Sequence, residues 1–395
     1  MIQLKKLTLG DNMVLLKQLE DFYPEIVKHR RHLHKNPELS FTEEKTPAYI
    51  ADFLDTLGIE VKRNVGGRGV VGLINGKNPG KTVALRADFD ALPIQEENET
   101  EYKSQNPGIM HACGHDGHTA SLIAVAKVLS ENRDKFNGTV KLIFQFAEEL
   151  VPGGALAMIE DGCLDGVEAI FGNHFLPSLP TGTFGYRPGI FMGIADQFNI
   201  VIHGRGGHGA SPHETIDPIV IASTIIVNLQ QIVSRAVNPL DPSVISIGSI
   251  HAGNAFNVIA DKVSISGTVR TVDKKVQEFI IQEMENTICG ICEGSGATYD
   301  FEYIKGYPAV VNSQAETELV YDSMKKLVPE KDIKLVDIFL GGEDFAYYLE
   351  KVPGCFFNTG SGMPYPLHHP KFDLDEKAML FAAKSLLSVA LDFLK

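Results

Sequence analysis

The nine-residue stretch Met110–His118, which reads Met-His-Ala-Cys-Gly-His-Asp-Gly-His, constrains this chain more than any other feature. It brings one thiol, three imidazoles and one carboxylate close together. Cys113 and His115 are separated only by Gly114, a spacing that lets both side chains turn toward one point. Thiolate, imidazole and carboxylate together suit zinc or a similar divalent metal better than calcium or magnesium. The stretch therefore predicts a metal site, and the alternative is a lone buried cysteine among surface histidines.

The residues that follow this stretch predict a buried helix. Thr119–Ser130 is rich in apolar residues, and no glycine or proline interrupts it. The stretch then lies on a loop just before a helix N-terminus, where free backbone N–H groups stabilise thiolate and carboxylate anions.

The composition narrows the class of protein. A chain of 395 residues is too long for one simple core and predicts two domains. A formal net charge of −14 argues against binding to nucleic acid or to an anionic membrane. Met1–Glu20 lacks the apolar core of a signal peptide, and apolar runs such as Ile219–Val227 are shorter than the ~20 residues of a membrane span. The five scattered cysteines predict no disulfide framework and a cytoplasmic location.

The order of predicted elements indicates an α/β catalytic domain. Residues 1–62 are predicted to be helical, with apolar periodicity in Phe22–His34 and Thr46–Leu57. Short strands then alternate with helices, which favours a mixed, largely parallel sheet flanked by helices. The predicted strands are Val70–Asn75, Thr82–Ala87, Thr139–Ala147 and Glu168–Asn173, with helices Thr119–Ser130 and Gly154–Glu160 between the later ones. The pattern resumes after residue 305 and ends with helix Ala378–Leu394, so this domain is assigned to 1–188 and 306–395.

A second pattern, β-α-β-β-α-β, is predicted between these halves, over residues 189–305. This order is that of a ferredoxin-like α+β module. The predicted elements are strands Ile194–His203, Val244–Ile250, Lys262–Arg270 and Ala297–Ile304 and helices Asp217–Arg235 and Asp273–Glu293, with Gly294 past the end of the last helix. Asp217–Arg235 is apolar nearly all round, so its second face packs either on another subunit or on the other domain.

Polar side chains fall at the predicted C-terminal ends of the strands, where open α/β sheets place their sites. They are Asp88 and Asp90 after one strand, Glu148 and Glu149 after the next, and then His174. Cys113 and His115 belong to the same edge, and His368 follows far downstream. Five potential ligands exceed the three protein ligands of a typical single catalytic zinc, which predicts two metals. One glutamate of the pair then ligates metal, and its neighbour acts as general base on the attacking water.

Two other motifs are interpreted as incidental. Gly204–Gly209 matches the dinucleotide-binding glycine pattern, but Pro212 and Pro218 delay the next helix and no βαβ unit surrounds it. His208 within this loop is instead a candidate to contact a substrate oxygen. Cys289 and Cys292 have the spacing of a redox pair, but they lie in a predicted helix without a thioredoxin-like setting.

With these residues identified, the chain resembles the bimetallic amidohydrolases and peptidases that include hippurate hydrolase, N-acyl-amino-acid amidohydrolases and the plant auxin-conjugate hydrolases. The resemblance covers nearly the whole length. Its marks are Arg31–His34, Pro37–Phe41, Arg86–Ile94, His111–His118, Gln145–Glu149, Asn173-His174, Gly206–Ala210, Gly342–Phe345 and Leu367-His368.

The resemblance implies an α/β catalytic domain with an inserted ferredoxin-like lid that dimerises. It implies two divalent metal ions (zinc, manganese or cobalt) per chain, held by Cys113, His115, Glu149, His174 and His368. Glu148 matches the general base and His208 a lid residue that stabilises the oxyanion, in relatives sometimes from the partner subunit. Asn257 and Arg270 match positions that hold the substrate carboxylate.

The first site strand departs from the wider superfamily, because Asp88-Phe89-Asp90 stands where many members carry His-x-Asp. An aspartate metal bridge is also replaced by the Cys113–His115 loop. Both changes fit the hippurate-hydrolase branch. They leave open whether Asp88 is a ligand, and they favour Asp90 as a residue that orients the site without ligating metal.

The predicted function is metal-dependent hydrolysis of the amide bond of N-acyl amino acids or short peptides. The expected partners are a small-molecule substrate and further copies of the chain, in a homodimer or a higher homo-oligomer. A dipeptidase or aminopeptidase is the alternative within the class, and a non-catalytic metal-binding protein is the alternative outside it. A protein that only stores metal does not need a general base, so Glu148 argues against the non-catalytic alternative.

Overall fold

The computed structural model describes residues 9–395, with side chains from Met13 onward. The interpretation of Met1–Glu20 as lacking a signal peptide falls partly on residues 1–8, which lie outside that range. The helices are α1 (Leu9–Lys35), α2 (Lys45–Thr56), α3 (His115–Glu131), α4 (Ala155–Glu160), α5 (Pro218–Gln231), α6 (Lys274–Ser295), α7 (Gln314–Met324), α8 (Phe345–Leu349) and α9 (Lys377–Phe393).

Sixteen strands alternate with these helices in the described part of the chain. The first eight are β1 (Glu60–Val65), β2 (Gly69–Asn75), β3 (Thr82–Asp88), β4 (Thr139–Gln145), β5 (Ala169–Leu176), β6 (Phe184–Tyr186), β7 (Gly189–Met192) and β8 (Ile194–His203). The others are β9 (Gly207–His208), β10 (Val244–Ala252), β11 (Val258–Ile259), β12 (Lys262–Thr271), β13 (Thr298–Tyr307), β14 (Val310–Asn312), β15 (Ile333–Leu335) and β16 (Gly354–Gly360).

The chain divides into two compact units. The first comprises Met1–Phe191, Val311–Asp337 and Asp344–Lys395, and the second comprises Met192–Val310 and Ile338–Glu343. The predicted insertion, 189–305, covers most of the second unit.

The first unit is built on an eight-stranded sheet in the order β1-β2-β4-β3-β5-β16-β6-β15. Its central strands, β4, β3, β5 and β16, are parallel to one another. At one side β1 pairs antiparallel with β2 and β2 with β4, and at the other side β6 pairs antiparallel with β16 and parallel with β15. The central strands are buried along nearly their whole length, as expected when helices cover both faces of a parallel sheet. The prediction of a mixed, largely parallel sheet flanked by helices is confirmed for this unit.

The buried helix α3 organises the packing of the first unit. It packs against α1, α9 and β3, while α2 packs on β1 and β2. Fourteen of its seventeen residues are buried, which explains the apolar run in the sequence. The start of α3 is thereby fixed beside the C-terminal end of β3.

The second unit contains a four-stranded antiparallel sheet in the order β10-β12-β8-β13, with α5 and α6 packed on it. The strands of this sheet and its two helices follow one another as β8-α5-β10-β12-α6-β13, the order of a ferredoxin-like module, while β9 and β11 form a separate two-stranded ladder. The Asp217 carboxylate caps α5 by accepting from the Ile219 N–H, and α5 continues as a π-helical turn over Ile232–Ala236. Among the described residues, Pro218–Ala236 is the one helical segment apolar and long enough to pass for a membrane span, which is weak evidence of one because core helices pass the same test.

Several boundaries differ from the sequence-based prediction because tertiary pairing decides them. Strand β1 (Glu60–Val65) begins inside the region predicted as helical, 1–62, and it forms through antiparallel pairing with β2. Strand β5 runs on to Leu176 alongside β16, so His174 lies inside the strand and not after it. Helix α6 passes Gly294 and ends where Gly296 takes φ +72°.

Two further corrections affect the site directly. Strand β4 ends at Gln145, two residues earlier than predicted, and Ala147 turns with φ +51°. Helix α3 begins at His115 and not at Thr119, because Gly114 with φ +93° turns the chain into the helix. His115 is therefore the first helical residue and not a loop residue.

Candidate metal centre and active site

The polar residues predicted at the strand ends lie at one edge of the large sheet. Asp88 closes β3, Glu148 and Glu149 follow β4, and His174 is near the end of β5. Because these three strands are adjacent and parallel, their carboxyl ends meet at that edge.

Residues distant in sequence join this edge through main-chain contacts. Cys113 directly precedes Gly114 at the start of α3, so its thiol lies beside His115. The His368 backbone N–H donates to the carbonyl of Ala112 at 2.8 Å, and His368 has a left-handed φ of +64°. This contact fixes the imidazole of His368 next to the cysteine loop.

The five predicted metal ligands lie together. Cys113 Sγ is 3.4 Å from His174 Nε2. Glu149 Oε1 is 3.3 Å from His368 Nε2 and 3.8 Å from His115 Nε2. Two sets of donor atoms, each within 4.8 Å, share Cys113: they are Cys113, His115 and His174, and Cys113, Glu149 and His368. Two neighbouring sets with a common member fit a pair of divalent cations.

The hydrogen bonds at the back of each histidine leave the site-facing nitrogen available. His174 Nδ1 is 2.7 Å from the carbonyl of Phe175, and His115 Nδ1 is 3.1 Å from Asp90 Oδ1. Both acceptors require a proton on Nδ1, so Nε2 is the nitrogen of each imidazole that can ligate a metal in the neutral form. His115 Nε2 and Glu149 Oε1 are buried without a hydrogen-bond partner, which is costly unless a cation completes the site. The residues therefore fit divalent metals.

The electrostatics of the site also favour cations. Burial, together with the charges of Glu149, Glu148 and Asp88, raises the pKa of the Cys113 thiol well above its usual range. Burial alone lowers the pKa of His115, but Asp88, Asp90 and Glu149 outweigh it and raise that pKa to about 10. A divalent cation would displace both of these protons, because thiolate and neutral imidazole are the ligating forms.

Asp88 and His118 are engaged with other groups, although their donor atoms lie close to those of His115. The Phe175 N–H donates to His118 Nε2 at 3.1 Å, so the His118 proton is on Nδ1 and is donated to Asp88 Oδ1 at 2.7 Å. The other oxygen of Asp88 accepts from Arg86 Nη1 at 2.6 Å. The sequence left open whether Asp88 ligates metal. Both of its carboxylate oxygens already accept hydrogen bonds, which disfavours Asp88 as a metal ligand.

Arg86 belongs to a buried polar network that sequence reasoning did not identify. It donates to Asp344 Oδ1 at 3.0 Å and to Gln145 Oε1 at 2.9 Å, and all three side chains are buried. The sequence did carry a signal, because an arginine inside the apolar strand Thr82–Asp88 needs buried acids. The network fixes the ends of β3 and β4 from behind the site.

Asp90 has both oxygens occupied by groups of the site. Oδ1 accepts from His115, and Oδ2 accepts from the Ser40 hydroxyl at 2.7 Å and the Glu149 N–H at 2.9 Å. Glu148 is also buried, and its Oε2 lies 4.0 Å from His115 Nε2. The two glutamates therefore approach one imidazole from the same strand end.

The remaining predicted site residues lie in the second unit. His208 on β9 pairs with Val258 on β11, and the adjacent Gly209 N–H donates to the carbonyl of Asn257 at 2.9 Å. His208 Nδ1 accepts from the Ala210 N–H at 3.0 Å, and its side chain is exposed. Arg270 is on β12, and its Nη1 donates to the carbonyls of Asp196 at 3.3 Å and Val269 at 3.1 Å. The roles given to these residues stay predictions.

The two motifs interpreted as incidental lie in this unit as well. The glycine-rich loop forms the short β9–β11 ladder and does not lead directly into a helix, because α5 begins only at Pro218. Cys292 is buried in α6 and Cys289 is half-buried, and both are free thiols.

Comparison with known proteins identifies the family. The peptidase family M20/M25/M40 matches residues 84–392. An amidohydrolase of Bacillus subtilis is 52% identical over 382 residues, which are 95% of this chain and 96% of that protein. An N-acetyl-L-cysteine deacetylase of the same organism is 41% identical over 391 residues, covering 97% and 93%. The crystal structure of a dinuclear metal-binding M20 peptidase from Bacillus subtilis superposes with a TM-score of 0.83 at 38% identity, covering 95% of this chain and 99% of that one.

The chain belongs to the peptidase family M20/M25/M40. Its predicted resemblance to bimetallic amidohydrolases and peptidases is confirmed, and so is its assignment as a metal-dependent hydrolase of C–N amide bonds.

Proposed function

We propose that this enzyme cleaves the amide bond next to a free carboxylate and releases the amino acid from an N-acyl amino acid or a short peptide. The observation that carries the proposal is the pair Glu148 and Glu149 at one strand end, with Glu149 close to His115 and His368. One relative is an N-acetyl-L-cysteine deacetylase and another is a peptidase, and both names denote cleavage of amide bonds, which supports the substrate class.

Each residue of the first unit has a separate part in this reaction. Cys113, His115, Glu149, His174 and His368 would hold two divalent cations, with zinc, manganese and cobalt as the candidates. When bound, such cations polarise the scissile carbonyl and lower the pKa of a water. Glu148 takes the proton of the attacking water and delivers it to the leaving amine. Asp90 orients His115 through Nδ1 and fixes the backbone of Glu149.

The second unit is proposed to act as a lid on the reaction. His208 stabilises the oxyanion, from its own or the partner's lid, and Asn257 and Arg270 hold the substrate carboxylate. His208 suits this role because it is exposed and its Nε2 is not used in the contact with Ala210.

Replacement of His208 with alanine tests the lid. We expect turnover to fall by about tenfold or more, because an oxyanion donor acts only in the transition state, while metal content stays unchanged. Steady-state kinetics and metal analysis of the same preparation measure both quantities. Loss of metal with preserved turnover per bound metal would contradict the lid assignment.

A substrate and metal panel tests the proposed function as a whole. The chain is stripped with chelator, reloaded with zinc, manganese or cobalt, and offered N-acetyl, N-benzoyl and peptidyl amino acids. Metal-dependent release of free amino acid is the expected result, and the best substrate defines the acyl preference. If two metals bind but no substrate of the panel is turned over, this substrate class is rejected. If the chain neither binds metal nor turns over substrate, the ligand assignment is rejected.

Two alternatives give different outcomes on that panel. A dipeptidase or aminopeptidase cleaves peptides with a free amino terminus and spares the N-blocked ones. A metal-binding protein without catalysis binds cations but releases no amino acid, and it gives no reason for the buried Glu148 beside Glu149.

We propose further that the enzyme is a cytoplasmic homodimer formed through α5. Val220 and Val227 on this helix are 62% and 64% exposed although the helix is apolar nearly all round, and a partner subunit would cover them.

Sedimentation at micromolar concentration is expected to show a dimer, and Val220→Glu is expected to weaken it because a charge in an apolar interface is unfavourable. Val14→Glu, which adds the same charge to an exposed valine of α1, serves as the control. A wild-type monomer would contradict the dimer.

A further inference from the structure

The segment that carries Glu148 is strained and needs external support. Ala147, directly before the glutamate, has φ +51°, a left-handed conformation that residues with a side chain rarely adopt. Such conformations persist where surrounding contacts over-determine them, and they concentrate at functional sites. The contacts that hold Ala147 therefore also set the position of Glu148.

Carboxyl groups hold the backbone on both sides of Glu148. The Ala147 N–H donates to Glu43 Oε1 at 2.9 Å, and the Glu149 N–H donates to Asp90 Oδ2 at 2.9 Å. The Ala147 carbonyl in turn accepts from the Gly154 N–H at 3.1 Å. Asp90 already has a role through His115, whereas Glu43 has none in the proposed reaction.

Glu43 lies on a loop that is itself well fixed. Residues 38–43, which we call the brace loop, connect α1 to α2. The Glu38 carboxylate accepts the backbone N–H groups of residues 44, 45 and 46 at 2.8–3.1 Å, which anchors the loop to the start of α2. The Ser40 hydroxyl donates to Asp90, and the Phe41 ring contacts the Phe146 ring edge-on at 5.9 Å. The brace loop thus contacts the Glu148 segment at several points.

Burial of the Glu43 carboxyl group costs free energy of folding, because one of its oxygens has no hydrogen-bond partner. Glu43 is fully buried, and its Oε2 has no hydrogen-bond partner. Burial and the nearby charge of Asp90 raise the pKa of Glu43 to about 8, so the group is largely neutral at pH 7 and still accepts through Oε1. A glutamine would reproduce this neutral acceptor, whereas a methionine of similar size would not.

We propose that Glu43 is a positioning residue for Glu148, which it holds in place through the Ala147 N–H. The proposal rests on the proposed function, in which Glu148 is the general base. The Glu43 side chain hydrogen-bonds to the Ala147 backbone and, in the part of the chain that the structure describes, to none of the predicted metal ligands, so we expect it to affect turnover and not binding of substrate or metal.

The test compares Glu43→Met with Glu43→Gln, with Glu44→Met as a control on the exposed neighbouring residue. We expect Glu43→Met to lower kcat about 10- to 100-fold because a misplaced catalytic group is strongly penalised, with KM and metal content within about twofold of wild type. Glu43→Gln should restore kcat to within about threefold, since the acceptor is retained. Equal losses in the two variants, or a loss explained by metal content, would overturn the proposal.

Amide hydrogen exchange supplies a readout that does not depend on activity. We expect the Ala147 amide to be protected in wild type and in Glu43→Gln, and to exchange faster in Glu43→Met. Fast exchange of this amide in the wild type would overturn the proposal even if Glu43→Met does not fold. Turnover retained by Glu148→Gln in the same panel would instead reject the base assignment, so the two failures are distinguishable.

Discussion

Glu148→Gln is expected to retain two metals per chain and to lose turnover by about 10²-fold or more. Glutamine preserves the size of the side chain but cannot accept the proton of the attacking water, and general base catalysis contributes about 10²–10⁴-fold. The comparison is with wild type on the best substrate of the panel, by steady-state kinetics together with metal analysis. Near-native turnover would contradict the role of Glu148 as base.

Glu149→Gln is the matched comparison, because it makes the same chemical change in the adjacent residue of the same strand end. Glu149 Oε1 lies closest to the imidazole of His368, as expected for a ligand, whereas Glu148 faces His115 at a longer distance. Glu149→Gln should therefore lose activity through weaker metal binding and recover part of it at higher metal concentration. If excess metal restores Glu148→Gln and not Glu149→Gln, the two roles are exchanged.

The sequence predicted the parts of the fold that local patterns determine. The continuous apolar run after Thr119 is a buried helix, and the short apolar runs at Thr82 and Thr139 are central strands. The edge on which the site lies was predictable as well, because parallel strands place their carboxyl ends together. Strand β1 was missed because its exposed, polar residues form a strand only by pairing with β2.

The supporting contacts of the site were less predictable, since they join residues far apart in sequence. The sequence contains Glu43, Ser40 and Asp90, but nothing local indicates that the first holds Ala147 or that the second donates to the third. His368 was named as a ligand, although its position depends on the Ala112 carbonyl and on a left-handed φ that a sequence pattern does not reveal. The apolar pattern of the sequence determines which segments form helices and strands, but long-range hydrogen bonds of this kind determine the geometry of the site.

The buried charges behind the metal loop lead to the prediction with the largest effect on stability. Arg30 of α1 is fully buried, and it donates to Asp116 Oδ2 at 2.7 Å and to Asp373 Oδ1 at 2.6 Å. Asp116 directly follows His115 and is also fully buried. Arg30→Met should lower the free energy of unfolding by about 3–5 kcal/mol, because it breaks a buried ion pair and leaves Asp116 with only the His34 imidazole, 2.8 Å from its Oδ2, to compensate the carboxylate. Urea unfolding followed by far-UV circular dichroism measures this free energy, because a chain without tryptophan lacks the usual fluorescence probe of unfolding.

The neighbouring arginine provides the control. Arg31 is 41% exposed and pairs with Glu376 at the surface, so Arg31→Met should cost no more than about 1 kcal/mol. Adding Asp116→Asn to Arg30→Met should recover part of the loss, since the unpaired charge is then gone. Equal losses for Arg30→Met and Arg31→Met, or no recovery in the double variant, would show that packing of the long side chain and not charge pairing dominates. In that case α1 would support the metal loop by its apolar contacts with α3 alone.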